Sequence, residues 1–217
     1  MTASQTLRTV MVDTQVRPSD VTKFPIIAAM LDVPREAFVP GPSRAVAYCD
    51  APVPLGEGRE MPEARLLAKM LDALDIQLSD QVLVIGGGLG YSTAVLARMA
   101  ESVVMIEDDP LRVAEAEAAL TAAEVSNAVV LEGTLAHGAP QAAPFNVILV
   151  EGGVEQVPDA LCDQLAEGGR MIALFREGPT GHARLGRRVE GRMAWREVFD
   201  AVAPVLPGFE APRGFRL

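Results

Sequence analysis

Histidine, cysteine and tyrosine each occur only twice in these 217 residues, and tryptophan once. Two histidines and two widely separated cysteines, Cys49 and Cys162, cannot build a His/Cys metal cluster or a disulfide framework. No metal is expected. Long apolar runs are also lacking: no stretch reaches the roughly 18 residues that a membrane-spanning helix needs. The opening residues show no secretory pattern, so a cytoplasmic setting is expected. Basic charge is short as well. Nineteen Lys and Arg face 29 Asp and Glu, a formal net charge of −10 and a pI near 4.7. A phosphate-backbone binder needs a basic face, so a nucleic-acid partner is excluded.

What is present is apolar bulk. Residues of the AVILMFWYC set make up 49% of the chain, and mean hydropathy is +0.22. A chain this long and apolar can bury a large core, which rules out disorder, collagen and coiled coil. The length favours one domain over 1–217. Charge is uneven along it: residues 1–169 carry 10 basic and 24 acidic side chains, residues 170–217 carry 9 and 5. Arg184, Arg187, Arg188, Arg192 and Arg196 crowd the later part, either as a solvated edge guarded by charge or as a partner-binding patch.

The first fifteen or so residues give little signal. Pro18-Ser19-Asp20 reads as the opening of a helix carrying Ile26, Ile27, Met30 and Leu31, with Pro25 in its first turn and an end at Val33-Pro34. Pro34 to Pro62 reads as ordered loop with short extended pieces. Ala64–Leu74 has apolar residues at helical spacing. Val82–Ile85 is an apolar strand, followed by helix Tyr91–Met99. Strand Ser102–Ile106 ends on Glu107, and helix Leu111–Ala123 follows. Ala128–Leu131 and Val147–Val150 are strands, Pro158–Leu165 a helix and Arg170–Phe175 a strand. Strand–helix alternation implies a buried, mostly parallel, doubly wound α/β sheet. Ala183–Val189 and Met193–Phe199 around Glu190-Gly191 then read as an antiparallel hairpin at its edge. His137 and His182 read as loop residues.

Gly86-Gly87-Gly88-Leu89-Gly90 joins the first strand of that alternation to a helix. Glycines there let a ligand approach the backbone. The dinucleotide fingerprint G-x-G-x-x-G would require glycine at position 91, which is Tyr91. The pattern is G-x-G-x-G, and it resembles the nucleoside loop of S-adenosylmethionine-dependent methyltransferases. Glu107 stands 19 residues after Gly88, at the end of the next strand. A carboxylate there can accept hydrogen bonds from both ribose hydroxyls. It reads otherwise as a solvated acid beside Asp108 and Asp109.

Asp32-Val-Pro-Arg-Glu-Ala-Phe-Val-Pro40, Ala47-Tyr-Cys-Asp50, the Val82–Ala97 run, Ala143-Pro-Phe-Asn-Val-Ile148 and Val198–Gly208 together resemble the protein-L-isoaspartate O-methyltransferase family. The resemblance implies a seven-stranded class I methyltransferase fold. Residues 79–217 would form the S-adenosylmethionine-binding core, and residues 1–78 a helix and loop segment over the acceptor side. It implies methyl transfer from S-adenosylmethionine to the side-chain carboxylate of isoaspartyl residues in a peptide or protein acceptor. Such an acceptor is already ionised, so positioning and exclusion of water do most of the work. Gly86, Gly87, Gly88, Gly90, Tyr91, Glu107 and Thr134 are the expected cofactor contacts. The chain is expected to act as a monomer or homodimer.

Three departures from the family pattern stand out. The family's Thr-Ile-Ser-Gln-Pro segment, whose hydroxyls help hold acceptor and cofactor, puts its threonine and serine on Glu60 and Pro62. Arg59 or Arg65 could supply a carboxylate clamp in their place. The family's acidic residue in the first core strand is Val84, and its Gly-Asp-Gly aligns with Gly133-Thr134-Leu135, so Thr134 offers a hydroxyl without charge. Glu151, before Gly152-Gly153, has two readings: a base or acceptor contact, or a backbone cap. With Arg59 and Glu60 it completes the candidate catalytic set. The alternatives are a methyltransferase of different acceptor and a non-catalytic homologue that kept the fold.

Overall fold

The computed structural model describes residues 2–212. Helix α1 (Ala3–Met11) begins on a reciprocal cap: the Thr2 hydroxyl accepts the Gln5 N–H, and the Gln5 side chain accepts the Thr2 N–H at 2.7 Å. The chain continues through a π-helical stretch, Val12–Val16, and a 3-10 turn, Arg17–Ser19. Asp20 then turns left-handed at φ 64°. That break moves the expected start at Pro18 downstream, and α2 spans Phe24–Asp32 with Pro25 in its first turn. Between Pro34 and Pro62 lie two 3-10 turns and a small antiparallel hairpin, β1 (Val53–Gly56) and β2 (Arg59–Met61). Helix α3 (Ala64–Leu74) buries the apolar stripe that its spacing foretold.

The main sheet follows: β3 (Gln81–Ile85), α4 (Tyr91–Ala97), β4 (Ser102–Glu107), α5 (Pro110–Ala122), β5 (Ala128–Glu132), β6 (Phe145–Val154), α6 (Asp159–Cys162), β7 (Leu165–Glu177), β8 (Thr180–Val189) and β9 (Arg192–Asp200). Strand order is β5-β4-β3-β6-β7-β8-β9. The first five are parallel; β8 and β9 are antiparallel. This is the expected doubly wound sheet of seven strands. The β8–β9 turn uses Glu190 (φ 52°) and Gly191 (φ 71°), both left-handed as a two-residue type I′ turn requires. Helix α6 is a single turn, shorter than expected, because Leu165 already pairs with Phe145 across β6 and β7. The longer β8 also carries His182, which is not a loop residue: its Nδ1 lies 2.8 Å from Asp200 Oδ1. His137 sits in a 3-10 turn, Leu135–His137.

Alternation along the strands divides the core between two faces. Val82, Val84, Val103, Met105, Val147 and Leu149 pack with residues of α1 to α5. Leu83, Ile85, Ile106, Ile148 and Val150 pack with Leu161, Leu206 and Phe209 on the other side. Burial of each large side chain contributes about 1.5–3 kcal/mol. Arg35, fully buried, ties the N-terminal segment to this frame. It donates to the Ala47 carbonyl at 2.7 Å and the Pro62 carbonyl at 2.6 Å, and lies over the Tyr91 ring. The chain leaves β3 on one side for β4 and returns on the other to β6. The crevice at that reversal, outside the carboxyl ends of these strands, is where an α/β sheet binds ligands.

Candidate cofactor site

Gly86 and Gly88 follow β3 at φ 71° and 58°, backbone that only glycine adopts without strain. The turn is pinned by Gly86 N–H to the Ile106 carbonyl and Gly90 N–H to the Gly87 carbonyl, each at 2.9 Å. Glu107, at the end of neighbouring β4, is wholly buried. Its Oε2 accepts the Gly88 N–H at 2.9 Å, so loop and carboxylate form one unit. Gly133 N–H donates to the Glu107 carbonyl, which places Thr134 one residue further along, exposed.

Both oxygens of Glu107 are engaged by arginines. Arg59, from β2, donates through Nη1 to Oε1 at 3.0 Å and through Nη2 to Oε2 at 3.1 Å. The same guanidinium reaches the Gly86 carbonyl at 2.8 Å and Asp108 Oδ1 at 3.0 Å. Arg112, in the first turn of α5, adds Nε to Glu107 Oε1 at 3.0 Å and Nη2 to Asp108 Oδ1 at 3.2 Å. Burial, and secondarily the contact with Asp108, pushes the Glu107 carboxyl above its ordinary value, while Arg59 and Arg112 oppose that. Bidentate pairs of this kind are directional and strong.

Apolar side chains close what remains. A Cβ at Gly88 would fall 2.5 Å from Leu55 Cδ1, and one at Gly86 would meet Arg59 Nη2 at 2.8 Å and Leu206 at 3.3 Å. Leu206 belongs to a C-terminal segment that lies along β6. Gly153 N–H donates to the Pro204 carbonyl at 2.7 Å, and Leu206 N–H to the Gly153 carbonyl at 2.9 Å. The cavity left beside Arg59, Glu60, Pro62, Glu151 and Gly152 measures about 20 Å³. That is room for about one water. The buried carboxylate beside a glycine loop suits a nucleoside, and in this conformation Leu55 and Arg59 stand on it.

The expected site residues fall into two groups. Gly86, Gly88 and Glu107 converge at the crevice, whereas Gly87 faces Met105 and Val84 in the core and Gly90 faces Leu120 and Ala116 of α5. Tyr91 does not open onto it: the ring is buried between Arg35 and Phe38, 6.0 Å from the Phe38 centroid. Arg59 is no acceptor clamp here, since its guanidinium is spent on Glu107, Asp108 and Gly86. Arg65 is half exposed and pairs with Asp50 at 3.2 Å. Val84 is wholly buried. Glu60 lines the cavity, and burial, with Glu63 nearby, raises its carboxyl above the ordinary value. Glu151 is 5% exposed, and its Oε2 has no protein partner. Burial foremost pushes it up to about 7, with Ser92, Arg59 and Arg35 pulling it back. Leu55, Leu206 and Arg112 were not foreseen. Only Arg112 left a trace, five residues after Glu107 in a helix whose first turn must face it.

Residues 9–196 match the family model described as protein-L-isoaspartate(D-aspartate) O-methyltransferase. The chain belongs to this family. It is 40% identical over 162 residues to protein-L-isoaspartate O-methyltransferase 1 of Rhodopseudomonas palustris, covering 75% of this chain and 66% of that relative. With the Methanoculleus marisnigri protein-L-isoaspartate O-methyltransferase it shares 38% identity over 163 residues, 75% and 74% of the two lengths. A solved protein-L-isoaspartate O-methyltransferase superposes with TM-score 0.81 at 23% identity, over 94% of this chain and 66% of that one. A Plasmodium falciparum protein assigned to the same family, solved in complex with S-adenosyl-L-homocysteine, gives TM-score 0.78 at 18% identity, over 95% and 99%. Family, fold and the S-adenosylmethionine-dependent class of enzyme expected from the sequence agree with these matches. Among the described residues no helix is long and apolar enough to cross a membrane.

Proposed function

We propose that this chain is an S-adenosylmethionine-dependent methyltransferase acting on a carboxylate of a peptide or protein, the isoaspartyl side chain named for its relatives. The supporting observation is the unit formed by the glycine loop and buried Glu107, joined through Gly88 N–H at the topological reversal of the sheet. The cofactor supplies an electrophilic sulfonium methyl. Gly86 and Gly88 would give it close backbone approach, and Glu107 would accept its ribose hydroxyls. An ionised acceptor needs no strong base, so the chain contributes mainly position and dryness. The free cysteines Cys49 and Cys162 fit a reducing, cytoplasmic setting.

The test is incorporation of labelled methyl from S-adenosylmethionine into an isoaspartyl peptide, beside the aspartyl peptide as control. Incorporation into the first alone, abolished by Gly88→Trp, is the expected result. Binding of S-adenosylhomocysteine with no transfer to the isoaspartyl peptide would remove the acceptor reading. A second reading, a non-catalytic homologue, is favoured by one observation: Arg59 and Leu55 stand on the cradle itself.

A further inference from the structure

We infer that Arg59 is a built-in competitor for the cofactor, and that the β1–β2 hairpin is a latch that must lift before S-adenosylmethionine can enter. The inference rests on the proposed cofactor reading. The atoms of Glu107 that would take ribose hydroxyls already take the two Nη groups of Arg59, at 3.0 and 3.1 Å. A third bond holds Arg59 to the Gly86 carbonyl, at the mouth of the glycine loop. Leu55, on the other strand of the hairpin, presses on Gly88. One small element thus covers the carboxylate and the loop together. Arg59 is 7% exposed, so this is a buried contact and not a surface pair.

The hairpin is built to pivot on its base. β1 and β2 pair only with each other. No backbone hydrogen bond joins Val53–Met61 to the rest of the chain among the described residues. Its turn, Gly56-Glu57-Gly58, is left-handed at all three residues, and open space surrounds both glycines. Side chains attach it: Val53 and Met61, paired at its open end, are buried in the core and anchor the base, while Arg59 and Leu55 hold the rest to the cradle. Glu107 does not depend on that arginine for its position. Arg112 Nε, the Gly88 N–H and the Asp108 N–H, the last at 3.2 Å, still hold it when Arg59 leaves. Lifting the hairpin therefore exposes an intact carboxylate, with its charge still answered by Arg112.

A ligand that binds only the open form has its apparent affinity reduced by the open fraction. With the latch closed in about 99 molecules of 100, the loss is about 100-fold. Arg59→Met keeps an unbranched apolar stem and removes the charge. It is expected to bind S-adenosylhomocysteine more tightly than the wild type in isothermal titration, by the factor the closed fraction costs, about 100-fold at about 99% closed. Leu55→Ala, which leaves the ion pair in place, should tighten binding by a smaller factor and serves if Arg59→Met does not fold by circular dichroism. Hydrogen exchange on the wild type gives a readout without mutation. Saturating S-adenosylhomocysteine should speed exchange in residues 53–61, whereas a lid that closes on ligand would slow it. Equal affinities of wild type and variants, or slowed exchange in the hairpin, would overturn the latch and leave the proposed function standing. Tight binding by Arg59→Met without methyl transfer would keep the latch and remove the function. No binding by any form at millimolar ligand would overturn both.

Discussion

Glu151→Gln is expected to stabilise the protein at alkaline pH and to leave it nearly unchanged in acid. Glu151 is 5% exposed, and burial in the sheet holds its carboxyl at about 7, against 4.5 for the unperturbed group. The folded state therefore binds a proton that the unfolded chain releases between these values. Stability from this group is complete below pH 4.5 and is lost as pH rises through 7. At about 1.36 kcal/mol per unit, the full loss is about 3 kcal/mol. Glutamine has the same shape and cannot ionise, so it avoids that loss. Urea denaturation of wild type and variant at pH 4.5, 6 and 8 measures the difference directly, and Glu60 and Glu107, which shift the same way, cancel in it. The variant should gain about 3 kcal/mol at pH 8 and close to nothing at pH 4.5. A variant equally stable or less stable at pH 8 would refute the reasoning, because the ionised form would then be held by Arg35 and Arg59 more firmly than burial opposes it.

The same carboxyl predicts how the activity depends on pH. Glu151 and Glu60 line one cavity, so an anionic acceptor beside them meets added negative charge once Glu151 ionises, and kcat/KM for an isoaspartyl peptide should fall as pH rises through about 7. A profile that stays flat from pH 6 to 8.5, or that declines equally in Glu151→Gln, would place the acceptor elsewhere. Gly153→Ala should cost about 1–3 kcal/mol in urea denaturation, because its Cβ would lie 2.4 Å from the Ala203 carbonyl oxygen and 2.9 Å from that of Pro204. An unchanged midpoint would mean that the C-terminal segment yields without cost.

The parallel sheet was readable because its causes are local. Val82–Ile85, Ser102–Ile106 and Val147–Val150 are short apolar runs between helical patterns, and buried parallel strands need that composition. The glycines and Glu107 were readable for the same reason, since their spacing follows from one strand–helix–strand unit. Helix α1 was missed although its signal was present. Thr2 and Gln5 stand at the spacing of a reciprocal cap, and Ala3, Leu7, Val10 and Met11 follow at helical spacing, although Leu7 and Val10 stay about half exposed. Helix α6 was overextended because periodicity counts apolar residues and cannot see that Leu165 is claimed by strand pairing. The Gly152-Gly153 pair has no local explanation. It becomes intelligible only with residues 203–206 lying on it, about fifty positions later.

Arg59 shows where such reading stops and what extends it. As a loop arginine it invites assignment to an acceptor carboxylate. Once β2 is recognised as a strand, alternation puts Arg59 and Met61 on its buried side and Glu60 between them. An inward arginine must find acceptors, since burying an unpaired charge costs far more than a strand of three residues can return. The nearest acidic residues in sequence, Glu57, Glu60 and Glu63, lie on the same loop and hairpin and cannot enclose it. The remaining candidates are acids at strand ends that face the crevice, and Glu107 is the one held in place by the glycine loop. The feature that marks the cofactor cradle therefore also selects the partner of Arg59. In this chain the cradle and its occupant are specified by the same carboxylate.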